Sequence, residues 1–260
     1  MRKILFYMSL MIFAGNIFAS LENIIISPQT IASGNVSGFQ TGDTTIPALN
    51  TDKKYLSLNF LHPYGITEFS REDVAFQTKV LGKNSYIRVI NFGNSTYREN
   101  TLQLSSSIFH TDDLTISPGI SLFYLHTEFK NSYTAGVDLT AFYKIVDDLE
   151  VICSIKNLYA YENDNIDIPM EMFLNFHYRS LNTLDVYLGL EKDDRYKANI
   201  KTGISYKPID AFVLSAGYNF EPKCVNSGFA IRYLKYQFSY AISYHFDLEY
   251  SHAVGIVYEI

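Results

Sequence analysis

HAVGIVYEI, residues 252–260, closes the sequence and decides how the rest is read. Stepping back by two from the end gives Ile260, Tyr258, Ile256 and Val254, an apolar series. The positions between them are Glu259, Val257, Gly255 and Ala253. Alternate side chains of a β-strand share a face, so this stretch is an amphipathic strand with an aromatic ring near its end. A final strand needs a partner, and pairing with the first strand of the sheet leaves no unpaired edge. An ordinary edge strand is the alternative, and the other segments must decide between them.

Working outward, the same alternation recurs. Met170, Met172, Leu174, Phe176 and Tyr178 are interleaved with Glu171, Phe173, Asn175, His177 and Arg179. Leu184, Val186, Leu188 and Leu190 follow, opposed by Asp185, Tyr187, Gly189 and Glu191. Runs at 198–206 (with Lys201 on the second face), 212–220 and 238–244 repeat the pattern. Lys192-Asp193-Asp194, Pro208-Ile209-Asp210 and Glu221-Pro222-Lys223 supply turn signals between them. Earlier runs cover 73–81, 85–92, 101–109, 114–124 (interrupted by Pro118), 135–145 and 149–155, with 55–62 as the first strand. The faces of the run around Arg88 cannot be assigned, because Tyr86 and Ile90 share its parity while Ile87 and Val89 oppose it. About fourteen strands result, with twelve also fitting; about 210 residues over fourteen strands leave about 15 per strand and turn, room for the roughly 9–11 a tilted membrane strand needs.

A soluble sandwich would carry two dry inner faces and polar outer ones. Here Tyr178, Tyr206, Tyr218 and Tyr244 fall toward the ends of apolar faces, as interfacial girdles require. The expected fold is therefore all-β: a transmembrane antiparallel β-barrel with lipid outside. Its near-neutral mean hydropathy follows, since lumen residues offset lipid-facing ones. Asp138, Glu171, His177, Arg179, Asp185 and Lys201 all lie on the inner parity and are the candidate lumen-facing polar residues. Cys153 falls on an apolar face and Cys224 in a turn, so no disulfide is expected.

The N-terminus reads as a secretory signal over residues 1–19: Arg2 and Lys3, an apolar run, then Ala19 before a cleavage point. Residues 20–50 are turn-rich, with Ser33-Gly34, Ser37-Gly38 and Thr41-Gly42-Asp43. They form either a short plug inside the barrel or a disordered leader, and residues 51–260 form the barrel. Removing Arg2 and Lys3 takes the formal charge from −6 to −8, which argues against a nucleic-acid partner. The expected location is the outer membrane of a Gram-negative-type cell, with its lipid as a partner. The six histidines show no metal-ligand spacing, no CxxC occurs, and no nucleophile elbow or phosphate loop is present, so neither cofactor nor metal is expected. Asp138 and His177 could meet in a hydrolase-like pair, but solvated lumen residues are the simpler account. The acidic stretches 162–165 and 193–194 lack a complete calcium-ligand pattern.

From residue 157 onward the chain resembles the PorV/PorQ branch of FadL-like outer-membrane proteins. Three marks carry this: Asn157-Leu158 with Ile168-Pro169; Gly203-Ile204-Ser205-Tyr206 with Ser215-Ala216-Gly217-Tyr218; and 248–256 in the terminal strand. Residues 46–50 faintly echo the family's N-terminal motif, and Ile260 stands where Phe is usual. The resemblance implies a fourteen-stranded barrel with a short plug. It also implies either passage of a hydrophobic ligand or, in the PorV branch, handling of secreted proteins as type IX secretion requires. A hydrolase of barrel shape and a barrel that anchors partners through its loops are the alternatives.

Overall fold

A computed structural model describes residues 25–46, 53–161 and 168–260. The expected signal sequence, the 47–50 part of the N-terminal echo and the acidic stretch 162–165 lie outside the described residues. The strands are β1 (Tyr55–His62), β2 (Arg71–Val80), β3 (Lys83–Gly93), β4 (Tyr97–Ser106), β5 (Phe109–His110), β6 (Leu114–Thr127), β7 (Asn131–Val146) and β8 (Leu149–Tyr161). They continue with β9 (Glu171–Leu181), β10 (Leu184–Asp193), β11 (Asn199–Ile209), β12 (Phe212–Phe220), β13 (Lys223–Tyr233), β14 (Tyr236–His245) and β15 (Glu249–Glu259). Among the described residues, fourteen strands form one closed antiparallel ring, and the two-residue β5 pairs with β6 outside it. The ring closes where β1 meets β15, with Tyr55 opposite Glu259, Leu58 opposite Ile256 and His62 opposite His252. No helix among the described residues is long and apolar enough to cross a membrane.

The alternating faces separate as a closed sheet demands. On β1, Leu56, Leu58 and Phe60 are exposed while Tyr55, Ser57, Asn59 and Leu61 are buried. On β15, Val254 and Ile256 face out and Ala253 and Val257 face in. Two-residue links join β2 to β3, β7 to β8, β9 to β10, β11 to β12 and β13 to β14, all at the end where the C-terminus lies. Exposed Tyr143, Tyr178, Tyr206, Tyr233 and Tyr236 gather near that end, and Tyr133, Tyr159, Tyr161 and Tyr250 near the other. Two aromatic bands thus bracket the apolar belt.

Three local expectations are corrected and the open assignment at Arg88 is resolved. Pro118 does not interrupt its strand: β6 runs through it, with Pro118 opposite Leu139. The 101–109 run splits into β4 and β5. Cys224 lies not in a turn but on the inner face of β13, a strand whose alternation is masked by outward Ser227 and inward Gly228 and Ala230. Arg88 points inward together with Tyr86 and Ile90, and Ile87 and Val89 face out.

Those inward apolar residues have a reason: much of the interior is packed rather than wet. Residues 25–46 lie inside the ring, where Ile26, Val36, Asp43 and Ile46 are fully buried. They include one short helix, α1 (Pro28–Ala32), started by Pro28 at its first turn. Ile46 joins Phe142, Ile152 and Phe173 in one apolar cluster, with Phe39 packed against it. Ile25, Ile26, Ile31 and Ala32 join Leu61, Ile90, Ala241 and Ala253 in another. The segment seats on β11 to β15, where inward side chains are small. A Cβ at Gly203 would run into the Ser33 carbonyl, and one at Gly217 into the backbone of Gly34. Backbone therefore touches backbone, which glycine alone permits. Gly217→Val should unseat the segment while the ring persists. In detergent, protease should then cleave within residues 25–46 of the variant but not of the unaltered barrel, and heat-modifiable migration should be retained by both.

Candidate functional site: the cavity above the inner segment

Inward polar residues form a belt around half of the ring. Asn59 on β1 donates to Asp73 Oδ1 on β2 (2.8 Å). Arg88 on β3 donates to Asp73 Oδ2 from Nε (3.0 Å) and Nη2 (2.8 Å), both residues being fully buried. Arg88 Nη1 reaches Gln103 Oε1 on β4 (3.3 Å), and Gln103 Nε2 reaches Ser121 Oγ on β6 (3.5 Å). Ser121 donates to Asp138 Oδ2 on β7 (2.6 Å), which faces Lys156 Nζ of β8 at 3.7 Å. Asp138 Oδ1 also accepts the N–H of Asn157 (2.9 Å), whose side chain donates to the carbonyl of Pro169 (3.0 Å). Asn157 has a positive φ of 54° at the point where β7 and β8 shift register. Buried carboxylates are tolerable here because Asp73 and Asp138 each face a cation and accept further hydrogen bonds.

The inner segment is tied into this belt. Thr44 donates to Asp73 Oδ2 (2.5 Å), and Tyr86 donates to the Thr44 carbonyl (2.9 Å). Asp43 folds the segment on itself by accepting the N–H groups of Gly38 (2.6 Å) and Thr45 (2.9 Å). Burial pushes the Asp43 carboxyl above the usual carboxylate range, and those two N–H groups oppose the shift. A second node follows the belt, on β8 to β11. His177 on β9 sits between Glu150 Oε2 (3.0 Å from Nδ1) and Asp185 Oδ1 (3.1 Å from Nε2). Lys207 completes the node at 2.5 Å from Asp185 Oδ2. Tyr187 stacks on the His177 ring at 5.0 Å, and Phe39 of the segment lies 5.2 Å from it.

With the segment filling the end nearer the C-terminus, the open volume lies at the other end. It measures about 1540 Å³ and has Ile25, Ile31 and Asn35 at its base. One wall is aromatic: Phe69 and Phe92 are 6.5 Å apart, Phe92 and Tyr97 6.1 Å, with the Arg71 guanidinium 4.2 Å over Phe92. The facing wall is polar and includes Lys201, Asn219 and His245. Lys201 is held by the carboxylate of Glu191.

The six lumen candidates fall in four places. Asp138 is in the belt. Glu171 and Lys201, both buried, line the cavity. His177 and Asp185 share the second node. Arg179 has the inner parity but lies near the short-turn end of β9 and is exposed, its backbone N–H donating to the Asp148 carbonyl (2.8 Å). Asp138 and His177 have separate partners, so the hydrolase-like pair is not assembled. Among the described residues no three His, Cys, Asp or Glu side chains gather as metal ligands. Sequence reasoning missed Asp73, Arg88, Asn219 and His245. Asp73 and Asn219 carry the alternation signal that marked the other candidates; Arg88 did not.

No protein-family model and no curated protein sequence matches this chain. Solved structures that share its fold include two hydrocarbon channels. The CymD monoaromatic hydrocarbon channel aligns with a TM-score of 0.65 at 9% identity, over 93% of this chain and 99% of that one. The Pseudomonas putida toluene transporter TodX aligns with a TM-score of 0.62 at 12% identity, over 88% of this chain and 96% of that one. What is shared at such identities is the closed antiparallel barrel.

Arg88 offers a direct check on the belt. Arg88→Met strands the buried Asp73 carboxylate and should cost about 3–5 kcal/mol, the range for removing one member of a buried ion pair. Urea unfolding in detergent micelles reads this out. Gln103→Leu removes a weaker link and should cost clearly less.

Proposed function

We propose that this chain is an outer-membrane channel for small, largely hydrophobic compounds. The carrying observation is the division of the lumen: an inner segment packed across one half, and a cavity with an aromatic wall over the other. A water-filled pore would leave a continuous polar passage, whereas here apolar clusters and a hydrogen-bonded belt occupy that path. The exposed apolar belt and its tyrosine bands support placement in a lipid bilayer. The fold shared with a toluene transporter and a monoaromatic hydrocarbon channel supports the same ligand class.

The narrower PorV/PorQ resemblance, with its secretion role and protein partners, rests on three short sequence marks. Two of them have local structural duties: Asn157 bridges to Pro169, and Gly203 and Gly217 seat the inner segment. Those duties serve a plugged barrel whatever its cargo, so we favour the small-molecule channel. Production in the outer membrane of a porin-deficient Gram-negative host should raise the uptake rate of radiolabelled toluene several-fold and leave maltose uptake unchanged. Equal acceleration of both, or of neither, overturns the proposal.

A further inference from the structure

The polar wall of the cavity contains an ordered row. Lys201 lies opposite Asn219, Asn219 opposite Cys224, and Cys224 opposite His245, across β11 to β14. All four are more than nine-tenths buried, and all four line the cavity. One step along each of β11 and β12, Gly203 and Gly217 carry the inner segment, so the row borders the cavity floor.

The hydrogen-bond inventory of this row is one-sided. His245 Nδ1 accepts the backbone N–H groups of Asp247 and Leu248, each at 3.1 Å. That holds the ring proton on Nε2, which has no acceptor among the described residues. Asn219 accepts from Asn226 at its Oδ1 (3.4 Å), which leaves its NH₂ to donate. Asn199, one step from Lys201 on β11, accepts the Glu221 N–H at its Oδ1 (2.9 Å) and also keeps its NH₂. Three N–H groups on three strands thus face a cavity and lack an oxygen. The charge beside them is already balanced, because Glu191 holds Lys201. Across the space stand the rings of Phe92 and Tyr97, while Tyr64 packs edge-on against His245 at 5.9 Å between centroids.

Donors without protein acceptors favour a ligand that brings acceptor oxygens. A bare hydrocarbon would strip water from these N–H groups and give nothing back. A carboxylate would add a negative charge to a lining in which acidic side chains, Glu171 and Glu191 among them, already outnumber Lys and Arg by seven to five. We infer that the row Lys201–Asn219–Cys224–His245, with Asn199, is the polar end of the ligand site and selects a neutral, oxygenated compound: an aromatic or aliphatic body carrying a carbonyl or hydroxyl group. This rests on the channel function proposed above and names its substrate class.

Equilibrium dialysis tests it. Nanodiscs holding the barrel, corrected against empty nanodiscs, are equilibrated with radiolabelled acetophenone, benzyl alcohol, benzoate or ethylbenzene. These four share one ring and differ in their polar group. Acetophenone and benzyl alcohol should bind at least fivefold more tightly than benzoate and ethylbenzene. Asn219→Leu and His245→Phe should each erase that preference, by weakening the ketone and the alcohol and by strengthening ethylbenzene, which no longer has to desolvate those N–H groups. The ranking on the unaltered barrel decides the matter even should a variant fail to fold. Equal or tighter binding of ethylbenzene or benzoate overturns the inference, as does no binding by the ketone and the alcohol. The channel function fails separately, by the absence of toluene uptake in cells.

Discussion

Every backbone N–H and C=O that faces hydrocarbon must find its partner within the protein, since an unpaired one costs several kcal/mol. That constraint governs this structure. The antiparallel pairing of β1 with β15 is the contact that satisfies it, because it turns an open sheet with two edges into a ring with none. Once the ring is closed, the two faces of every strand have different solvents. The apolar exterior, the tyrosine bands and the buried polar interior then follow from a single topological condition.

The interior is where this barrel departs from a simple water-filled pipe. Residues 25–46 supply a second core whose outer surface is the barrel's inner wall. Two kinds of contact hold it. Toward β11–β15 the wall carries small residues, and the segment's backbone rests directly on it. Toward β1–β8 the wall carries the Asp73–Arg88 belt, and Thr44 and Tyr86 tie the segment to that side by hydrogen bonds. Packing on one flank and polar bonding on the other give the segment a defined position. The cavity inherits its shape from that placement, since the segment forms its base.

The strands and their faces were legible because alternation with period two is a local signal, and a lipid-facing surface enforces it. Leu184, Val186, Leu188 and Leu190 could be assigned outward without knowing any neighbour. The exceptions mark where the inner face meets protein instead of water. Arg88 resisted assignment because Tyr86 and Ile90 share its side, and they are apolar for contact with the enclosed segment. β13 was obscured for a similar reason: Cys224, Gly228 and Ala230 face inward without looking polar. The site was less legible than the fold. Inner parity picked out Glu171 and Lys201, which do line the cavity, but parity says nothing about height along the barrel. Asp138 and His177 share a face type and serve different networks. The alignment of Lys201, Asn219, Cys224 and His245 depends on three successive strand registers, which no single strand encodes.

The segment's seat also carries a consequence for biogenesis. Residues 28–34 come early in the chain, yet the surface they rest on is built from β11–β15, the last strands to be made. That resting place does not exist until the C-terminal third of the protein has been assembled. Docking of the inner segment therefore has to follow the pairing of β11 to β15, strands far along the chain from it.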